Sequence, residues 1–182
     1  MLLLASSSQT RAKLLSEAGF AYVQKGVDFD EDSIVAKGAK NFVYQATLGK
    51  YNEAIKRFGY EDMPLLVADS VVSTKDKILR KAKNIDEARE LLLLQSGSEV
   101  SILTCMIFHS KKLKLIDISA TTYEFSEFDK KELDNYLLSG EWIGKAGACM
   151  VEGFCSNYIK TTKGHKSTAM GLNIEVLSRF YK

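Results

Sequence analysis

The stretch Leu2-Leu3-Leu4-Ala5-Ser6-Ser7-Ser8-Gln9-Thr10-Arg11 opens the chain and sets the pattern from which the fold follows. Four apolar residues at its start are typical of a short buried strand, and the serines after them form a turn. Apolar residues then recur at helical spacing up to Gly19, and a glycine at that point typically ends a helix. This segment therefore predicts a strand, a turn and a helix.

The rest of the chain predicts helices and strands in mixed order. Helices are predicted over 41–58, 86–95, 129–138 and 168–181, and the first of them ends at Gly59. Strands are predicted over 21–24, 65–68, 71–72, 78–79, 100–108 and 113–125, with a mostly extended segment over 149–159. The turns Lys75-Asp76-Lys77 and 109–112 make hairpins of their flanking strands. Because helices and hairpins do not strictly alternate, the order favours a mixed sheet in an α/β or α+β domain.

Composition indicates one ordinary globular domain over residues 1–182. The chain has 182 residues, of which 46% are hydrophobic, and its 25 Lys and Arg against 23 Asp and Glu give a net charge of +2. Such a balance creates no global field that would attract nucleic acid. No segment approaches the ~20 apolar residues of a membrane span, and no basic leader precedes the first strand. We expect a cytoplasmic protein with neither membrane nor nucleic acid as partner.

The three cysteines predict free thiols. Cys105, Cys149 and Cys155 are odd in number and lack the C-x-x-C spacing of zinc or redox sites. We therefore expect buried, unpaired thiols in a reducing compartment.

The turn Ser6–Arg11 is the first candidate site, because free N–H groups at a helix N-terminus can bind an anion such as phosphate. A plain helix cap by Ser7 or Ser8 explains the serines equally well. Arg11 favours the anion, since a cation in the first helical turn opposes the helix dipole unless an anion lies beside it.

Asp69 is the second candidate. It lies within the apolar run Leu65–Val72, where a carboxylate is costly to bury unless it binds a cation, a hydrogen-bond donor or a catalytic water. A structural aspartate at a strand end is the alternative. Glu31, in the acidic segment Asp28–Asp32, is a candidate second carboxylate for a metal, although most acidic loops are simply solvated.

The loop Ser139–Gly147 is the third candidate, because it contains three glycines and Lys145. It is not a P-loop: the Gly140–Gly144 spacing is one residue short, and no Ser or Thr follows the lysine. A connecting loop that uses glycine for positive φ is as good an explanation on this segment alone. His109 and His165 are isolated and fit surface positions better than a triad or a zinc site.

Several short motifs occur in a fixed order along nearly the whole chain. They are Leu4–Arg11, Asp30-Glu31, Ala68-Asp69-Ser70, Lys81, Ser96-Gly97, Lys145-Ala146-Gly147, Glu152-Gly153 and Gly171-Leu172. Each is short, but their order and spacing together resemble the Maf-like family of nucleoside triphosphate pyrophosphatases.

This resemblance implies an α/β (mixed α+β) fold, an elongated mixed β-sheet flanked by helices, similar to that of the inosine triphosphate pyrophosphatases. It further implies a homodimeric enzyme that hydrolyses a nucleoside triphosphate to the monophosphate and pyrophosphate with a divalent metal cation, Mg²⁺ or Mn²⁺. Removal of unwanted nucleotides and a link to arrest of septum formation belong to the same expectation.

The resemblance also implies roles for particular residues. Asp69 corresponds to the family's central aspartate and is the expected catalytic base, or else a metal ligand that orients the water. Glu31 would bind the metal together with Asp69. Phosphate and substrate binding would fall to Ser6, Ser8, Arg11, Lys81 and Lys145.

Departures from the family pattern concern substrate choice. Relatives of the dTTP/UTP type have Arg, Thr and Gln where this chain has the specificity residues Thr10, Ser70 and Glu152. A glutamate before Gly-Phe is typical of the 7-methyl-GTP type, and a carboxylate can accept hydrogen bonds from a guanine edge. Asn52 falls where the family usually has a lysine, with Lys50 nearby as a substitute, and a missing lysine would weaken triphosphate binding. Asn173 replaces the usual proline of the closing motif, which concerns the geometry of that turn.

Two other functions are alternatives to the pyrophosphatase. A nucleotide-binding regulator of cell division with little or no turnover would explain the altered specificity positions, although it does not require a buried carboxylate. A nucleotidyltransferase would need a second acceptor site and a longer chain. Turnover with and without Asp69 separates the enzyme from the regulator.

Overall fold

The strands and helices follow the apolar pattern closely. A computed structural model describes residues 1–75 and 77–181. Within them the strands are β1 (Leu2–Ala5), β2 (Tyr22–Lys25), β3 (Leu65–Thr74), β4 (Lys77–Leu79), β5 (Glu99–His109), β6 (Lys114–Phe125) and β7 (Ile159–Lys163). The α-helices are α1 (Gln9–Glu17), α2 (Ala39–Phe58), α3 (Ile85–Gln95), α4 (Lys130–Ser139), α5 (Lys166–Ala169) and α6 (Ile174–Phe180), and 3₁₀ turns lie at Glu31–Ser33 and Phe154–Tyr158.

The sheet is mixed, as the sequence predicts. Its seven strands run in the order β2-β1-β3-β5-β6-β7, with β4 paired to β3. β1 is parallel to both β2 and β3, whereas β4 is antiparallel to β3 and β7 is antiparallel to β6. The α/β architecture with a helix-flanked mixed sheet is therefore confirmed.

The described residues divide into two compact units, each made of non-consecutive segments. The first comprises Met1–Ser70, Leu103–Ala120 and His165–Lys182, and the second comprises Val71–Ile102 and Thr121–Gly164.

In the first unit, side chains of β1 alternate between two apolar layers, as the two-residue period of a strand requires. Leu2 and Leu4 pack with buried residues of α1, whereas Leu3 and Ala5 pack with Tyr51 and Ala54 of α2. Strands β1 and β3 are thus covered on both faces, which explains their continuous apolar runs.

In the second unit, an aromatic cluster forms the centre. Phe128 contacts Phe125, Phe154 and Tyr158, and Phe154 stacks on Tyr136 at a centroid distance of 4.6 Å. Burial raises the pKa of the Tyr136 phenol to about 12.

Three local predictions are wrong. Asp69 and Ser70 do not interrupt β3, which runs through them. Residues 149–158 form irregular backbone, turns and a 3₁₀ turn instead of an extended segment, and β7 begins only at Ile159. The closing helix is split into α5 and α6, because Gly171 adopts φ +103° and Asn173 then caps α6 by accepting from the Val176 N–H at 3.0 Å. Within the predicted turn Lys75–Lys77, Asp76 lies outside the described residues.

The cysteine prediction is correct for one residue only. Cys105 is a free, fully buried thiol, and burial raises its pKa to about 11. Cys149 and Cys155 form a disulfide with their Cα atoms 6.2 Å apart, because the turns over 149–155 bring the two residues together. None of the described helices is long and apolar enough to cross a bilayer.

Candidate active site

The serine turn after β1 is both a helix cap and a set of polar groups around Arg11. Ser8 is the N-cap of α1, and its hydroxyl accepts from the Arg11 N–H at 3.4 Å. The buried Ser6 Oγ accepts from the Ser8 N–H at 3.2 Å and from Arg11 Nη1 at 3.1 Å. Because both lone pairs of Ser6 Oγ are then engaged, its own proton is the group left to bond an acceptor such as a phosphate oxygen.

Gln24 fixes the backbone of this turn. Its side-chain Nε2 donates to the carbonyl of Ser6 at 2.8 Å and to the carbonyl of Ser8 at 3.2 Å. With both carbonyls held by one amide, the turn has a single orientation. No motif marks this role of Gln24, whose sequence signal is a polar residue within the short strand β2.

The guanidinium of Arg11 is held by several hydrogen bonds to different parts of the first unit. Nε donates to the Gly171 carbonyl at 2.8 Å, Nη2 donates to Ser70 Oγ at 3.3 Å, and Nη2 lies 4.0 Å from Asp69 Oδ1. Burial lowers the pKa of the guanidinium, and the carboxylates of Asp69 and Glu31 oppose that change. An arginine keeps its proton under any such shift, so a positive charge on a side chain that is only 12% exposed lies beside the serine turn.

Asp69 and Glu31 converge on one ammonium group. Lys50 Nζ lies 2.7 Å from Glu31 Oε1 and 2.7 Å from Asp69 Oδ2, while Asp69 Oδ1 accepts from the Ser70 N–H at 2.9 Å. The Asp69 side chain is 12% exposed and that of Glu31 is 43% exposed. The acidic loop is therefore more than a solvated surface, because one of its carboxylates reaches the buried aspartate through Lys50.

Two packing features bring Glu31 to this position. The carboxylate of Asp30 caps the 3₁₀ turn Glu31–Ser33 by accepting from the Asp32 N–H at 3.0 Å. The ring of Phe29 lies directly on Gly49 of α2, where any Cβ would overlap it. Glycine at this helix position lets the acidic loop lie against α2, one residue from Lys50.

Lys50 supplies the ammonium group that contacts both carboxylates, although the family's usual lysine falls at the position of Asn52. Asn52 is exposed on α2, two residues further along the helix, whereas the Lys50 side chain is only 18% exposed and bridges both carboxylates. Residues two apart on a helix point about 200° apart, so only one of them can face the site.

The two carboxylates suit a divalent cation bound together with phosphates. Among the described residues no group of three or more His, Cys, Asp and Glu side chains is placed to hold a metal. Mg²⁺, however, commonly uses one or two carboxylates and takes its other ligands from water and substrate phosphate. Glu31 and Asp69 already converge on a cation, which is the arrangement that such a metal needs.

Lys81, Lys145 and Glu152 belong to the second unit and are exposed there. A bridge between Lys81 and Ala146, together with the hydrogen bond from the Gly147 N–H to the Arg80 carbonyl at 3.0 Å, holds the segments of the two lysines side by side. Within the described residues neither lysine side chain takes part in an ion pair. Both ammonium groups are therefore available to an anion.

The loop Ser139–Gly147 has a structural explanation as well. Gly147 adopts φ +66°, its carbonyl accepts from Gln95 Nε2 at 2.6 Å, and a Cβ there would lie 3.3 Å from that nitrogen. Trp142 is buried and its indole donates to the Leu137 carbonyl at 2.9 Å, so this side chain contributes to packing of the loop. Of the remaining specificity candidates, Ser70 contacts Arg11, and Thr10 is half-buried in the first turn of α1.

A family model described as "Maf-like protein" matches residues 1–182, the whole chain. The chain belongs to the Maf-like family. The order of short motifs along this Maf-like chain therefore reflects membership of that family.

Proteins similar in sequence align with this chain over 92–100% of their own lengths. A protein of a Nitratiruptor species named nucleoside triphosphate pyrophosphatase is 50% identical over 184 residues, covering 100% of this Maf-like chain and 99% of the relative. Proteins of the same name from Helicobacter pylori and Campylobacter jejuni subsp. jejuni are 41% and 38% identical, covering 97% and 99% of the chain and 92% and 100% of each relative.

A solved structure supports the fold. The Ham1 protein of Staphylococcus aureus matches with a TM-score of 0.55 at 14% sequence identity, covering 98% of this chain and 96% of that one. At this identity the likeness concerns the fold alone.

Proposed function

We propose that this Maf-like protein hydrolyses a nucleoside triphosphate to the nucleoside monophosphate and pyrophosphate. The observation that carries the proposal is the convergence of Asp69 and Glu31 on Lys50, with Arg11 and the serine turn beside them. The names of the relatives from Nitratiruptor, Helicobacter and Campylobacter support the same activity.

Asp69 acts as the general base in this proposal. It accepts a proton from a water molecule whose oxygen bonds to the α-phosphorus, while the bond from that phosphorus to the β-phosphate oxygen breaks and pyrophosphate leaves. Each Asp69 oxygen already accepts one hydrogen bond, from Ser70 N–H and from Lys50, and retains a lone pair for the water. The Ser70 N–H holds the carboxylate throughout, whereas the Lys50 contact can be exchanged when a metal binds.

Phosphate binding involves the cations and the free hydroxyl proton. Arg11 and Lys50 offset part of the negative charge of the triphosphate, and the Ser6 hydroxyl donates a hydrogen bond to it. The Ser8 hydroxyl, which accepts from the Arg11 N–H, also retains its proton for an oxygen of the substrate. Lys81 and Lys145 also bind phosphate in this proposal, which rests on their exposed ammonium groups and on the family resemblance.

Glu31 and Asp69 would hold the divalent cation, Mg²⁺ or Mn²⁺. When bound, this cation neutralises negative charge on the phosphates and polarises the reacting phosphorus–oxygen bonds. Lys50 can then exchange its carboxylate contacts for contacts to phosphate oxygens.

Substrate preference is assigned to Thr10, Ser70 and Glu152, with 7-methyl-GTP or another purine nucleotide as the favoured class. Support comes from the exposed Glu152 carboxylate, an acceptor suited to a guanine edge or to a positively charged base. The proposal includes a cytoplasmic, homodimeric enzyme that removes unwanted nucleotides, with a link to septum formation, and these parts rest on the family resemblance.

The decisive experiment measures pyrophosphate release from a panel of canonical and modified nucleoside triphosphates with Mg²⁺ or Mn²⁺. Asp69→Asn should lower the rate by roughly 10²–10⁴-fold, the usual contribution of a general base. The matched control is Asp134→Asn, which also removes a carboxylate from an ion pair, here with Arg89, but lies on α4 in the second unit.

Each outcome is informative. A loss in Asp69→Asn alone supports the enzyme, and equal losses in both variants contradict a specific role of Asp69. Folded wild-type protein that binds nucleotides but releases no pyrophosphate from any of them would leave a nucleotide-binding regulator. Preference for UTP over 7-methyl-GTP would contradict the assignment of Glu152.

A further inference from the structure

A chain of hydrogen bonds runs from Arg11 into the interior of the first unit. Arg11 Nη2 donates to Ser70 Oγ at 3.3 Å, Ser70 Oγ lies 2.8 Å from Thr104 Oγ1, and Thr104 Oγ1 donates to the Thr168 carbonyl at 2.7 Å. Thr104 and Thr168 are completely buried. Nothing in the motif pattern draws attention to Thr104, which lies between Leu103 and Cys105 in strand β5.

The direction of every bond in this chain follows from the chemistry of its two ends. A guanidinium can only donate and a carbonyl can only accept. Thr104 has one hydroxyl proton, which goes to the Thr168 carbonyl, so Thr104 must accept from Ser70. The proton of Ser70 is therefore committed to Thr104, and Ser70 Oγ accepts from Arg11.

The same segment of chain holds Arg11 a second time. Arg11 Nε donates to the Gly171 carbonyl at 2.8 Å, three residues after Thr168. A Cβ at Gly171 would lie 3.2 Å from Arg11 Nε and 3.4 Å from Ser70 Oγ, and φ there is +103°. The backbone from Thr168 to Gly171 thus fixes the guanidinium directly through one carbonyl and indirectly through another.

We propose that Thr104 is a positioning residue, which orients the phosphate-binding guanidinium of Arg11 through Ser70. This inference rests on the proposed function for the role of Arg11. It also restricts the specificity position Ser70: with its proton committed, Ser70 can only accept, so a substrate group that contacts it must be an N–H or O–H donor.

The test compares Thr104→Val, which keeps the shape and removes the hydroxyl, with Thr104→Ser, which restores it. The matched control is Thr74→Val, because Thr74 is a buried threonine of β3 whose hydroxyl donates to a backbone carbonyl of β5, that of Glu99, at 2.7 Å. The readouts are the Kd for inorganic tripolyphosphate with Mg²⁺ and the kcat/KM for nucleotide hydrolysis.

Thr104→Val should weaken tripolyphosphate binding about ten-fold, the scale of a lost hydrogen bond in a charged network. Thr104→Ser and Thr74→Val should remain within about two-fold of wild type. In an Arg11→Met background, Thr104→Val should add less than about two-fold, because residues that act through one another are not additive.

The outcomes separate this inference from the proposed function. Absence of turnover in wild type refutes the hydrolase, yet the tripolyphosphate Kd values still test Thr104. Equal effects of Thr104→Val and Thr74→Val would overturn the inference, as would an undiminished Thr104→Val effect in the Arg11→Met background. Failure of the wild-type protein to bind tripolyphosphate would overturn it as well.

Discussion

Lys50 is the residue on which the charge balance of the candidate site depends. Its ammonium is the common partner of Glu31 and Asp69, and together with Arg11 it gives the four charged side chains of the site a net charge of zero. Without Lys50, two carboxylates would face each other with Arg11 as their remaining cation. Their mutual repulsion would then be less well compensated.

Replacing Lys50 should therefore impair catalysis, and replacing Asn52 should not. We expect Lys50→Gln to lower kcat/KM for nucleotide hydrolysis by about 100-fold, the scale of a lost charge-assisted contact of roughly 3 kcal/mol. Asn52→Ala should stay within about two-fold, because Asn52 is exposed on α2. The opposite ranking in steady-state kinetics would mean that Lys50 is only a structural partner of the carboxylates.

Glu31 allows the metal proposal to be tested separately from Asp69. Glu31→Gln removes one of the two converging carboxylates and should raise the Mg²⁺ concentration needed for half-maximal rate about ten-fold. Asp28→Asn, an exposed carboxylate of the same loop, is the control and should leave the Mg²⁺ titration unchanged. A Mg²⁺ requirement that is identical in both variants would exclude Glu31 as a ligand.

At the scale of elements, α2 connects the acidic loop to the sheet. It carries Lys50 toward the site, it packs Tyr51 and Ala54 under β1 and β3, and at Gly49 it accepts the ring of Phe29. A glycine inside a helix costs roughly 0.5–1 kcal/mol relative to alanine. The close contact of the Phe29 ring explains why position 49 is glycine and not alanine.

Gly49→Ala should therefore destabilise the protein although alanine favours helices. The added Cβ must push Phe29 away, and Glu31 should move with it, so we expect a lower Tm and a higher Mg²⁺ requirement for hydrolysis. The control is Gln45→Ala, an exposed position of the same helix, which should leave both quantities nearly unchanged. If Gly49→Ala raised the Tm instead, the Phe29 contact would not restrain the loop.

For the whole molecule, His109 makes the free energy of unfolding depend on pH. Its Nδ1 lies 2.7 Å from Tyr51 Oη, and its ring stacks on Tyr60 at 3.7 Å between centroids. Burial lowers the pKa of His109, the Lys114 ammonium lowers it further, and Glu61 partly opposes them. The unfolded chain therefore takes up the proton at a higher pH than the folded protein does.

A lowered pKa makes the neutral histidine a stabilising group above its unfolded pKa of about 6.5. This contribution should be lost as the pH falls through the lower pKa of the folded protein. We expect the Tm of wild type to fall more than that of His109→Gln between pH 7.5 and 5, as measured by thermal denaturation. Asn52→Ala, which changes no titratable group at an exposed position of α2, should keep the wild-type pH dependence.

The reactivity of the three cysteines tests whether the disulfide is present and whether Cys105 is buried in the folded protein. With Cys149 and Cys155 joined and Cys105 buried with a pKa of about 11, the folded protein should react slowly with a thiol reagent. Denaturation without reductant should expose one thiol, and reduction should expose all three. Three thiols without reduction would show that the disulfide is absent from the purified protein.

The amino-acid sequence alone predicts the strands and most helices, because apolar periodicity and helix-ending glycines act over a few residues. It marked Asp69 by its apolar neighbours and Arg11 by its unfavourable place in a helix. The split at Gly171 and the run of β3 through Asp69-Ser70 could not be read locally, since both depend on contacts with distant residues.

Which of these residues meet depends on tertiary packing. The bridge of Lys50 to Glu31 and Asp69, 19 residues away on either side, arises because α2 packs against the sheet while Phe29 lies on Gly49. The connection from Arg11 to Gly171 spans 160 residues. Contacts of this kind are set by packing of buried surfaces, which carries no signal at any fixed spacing along the chain.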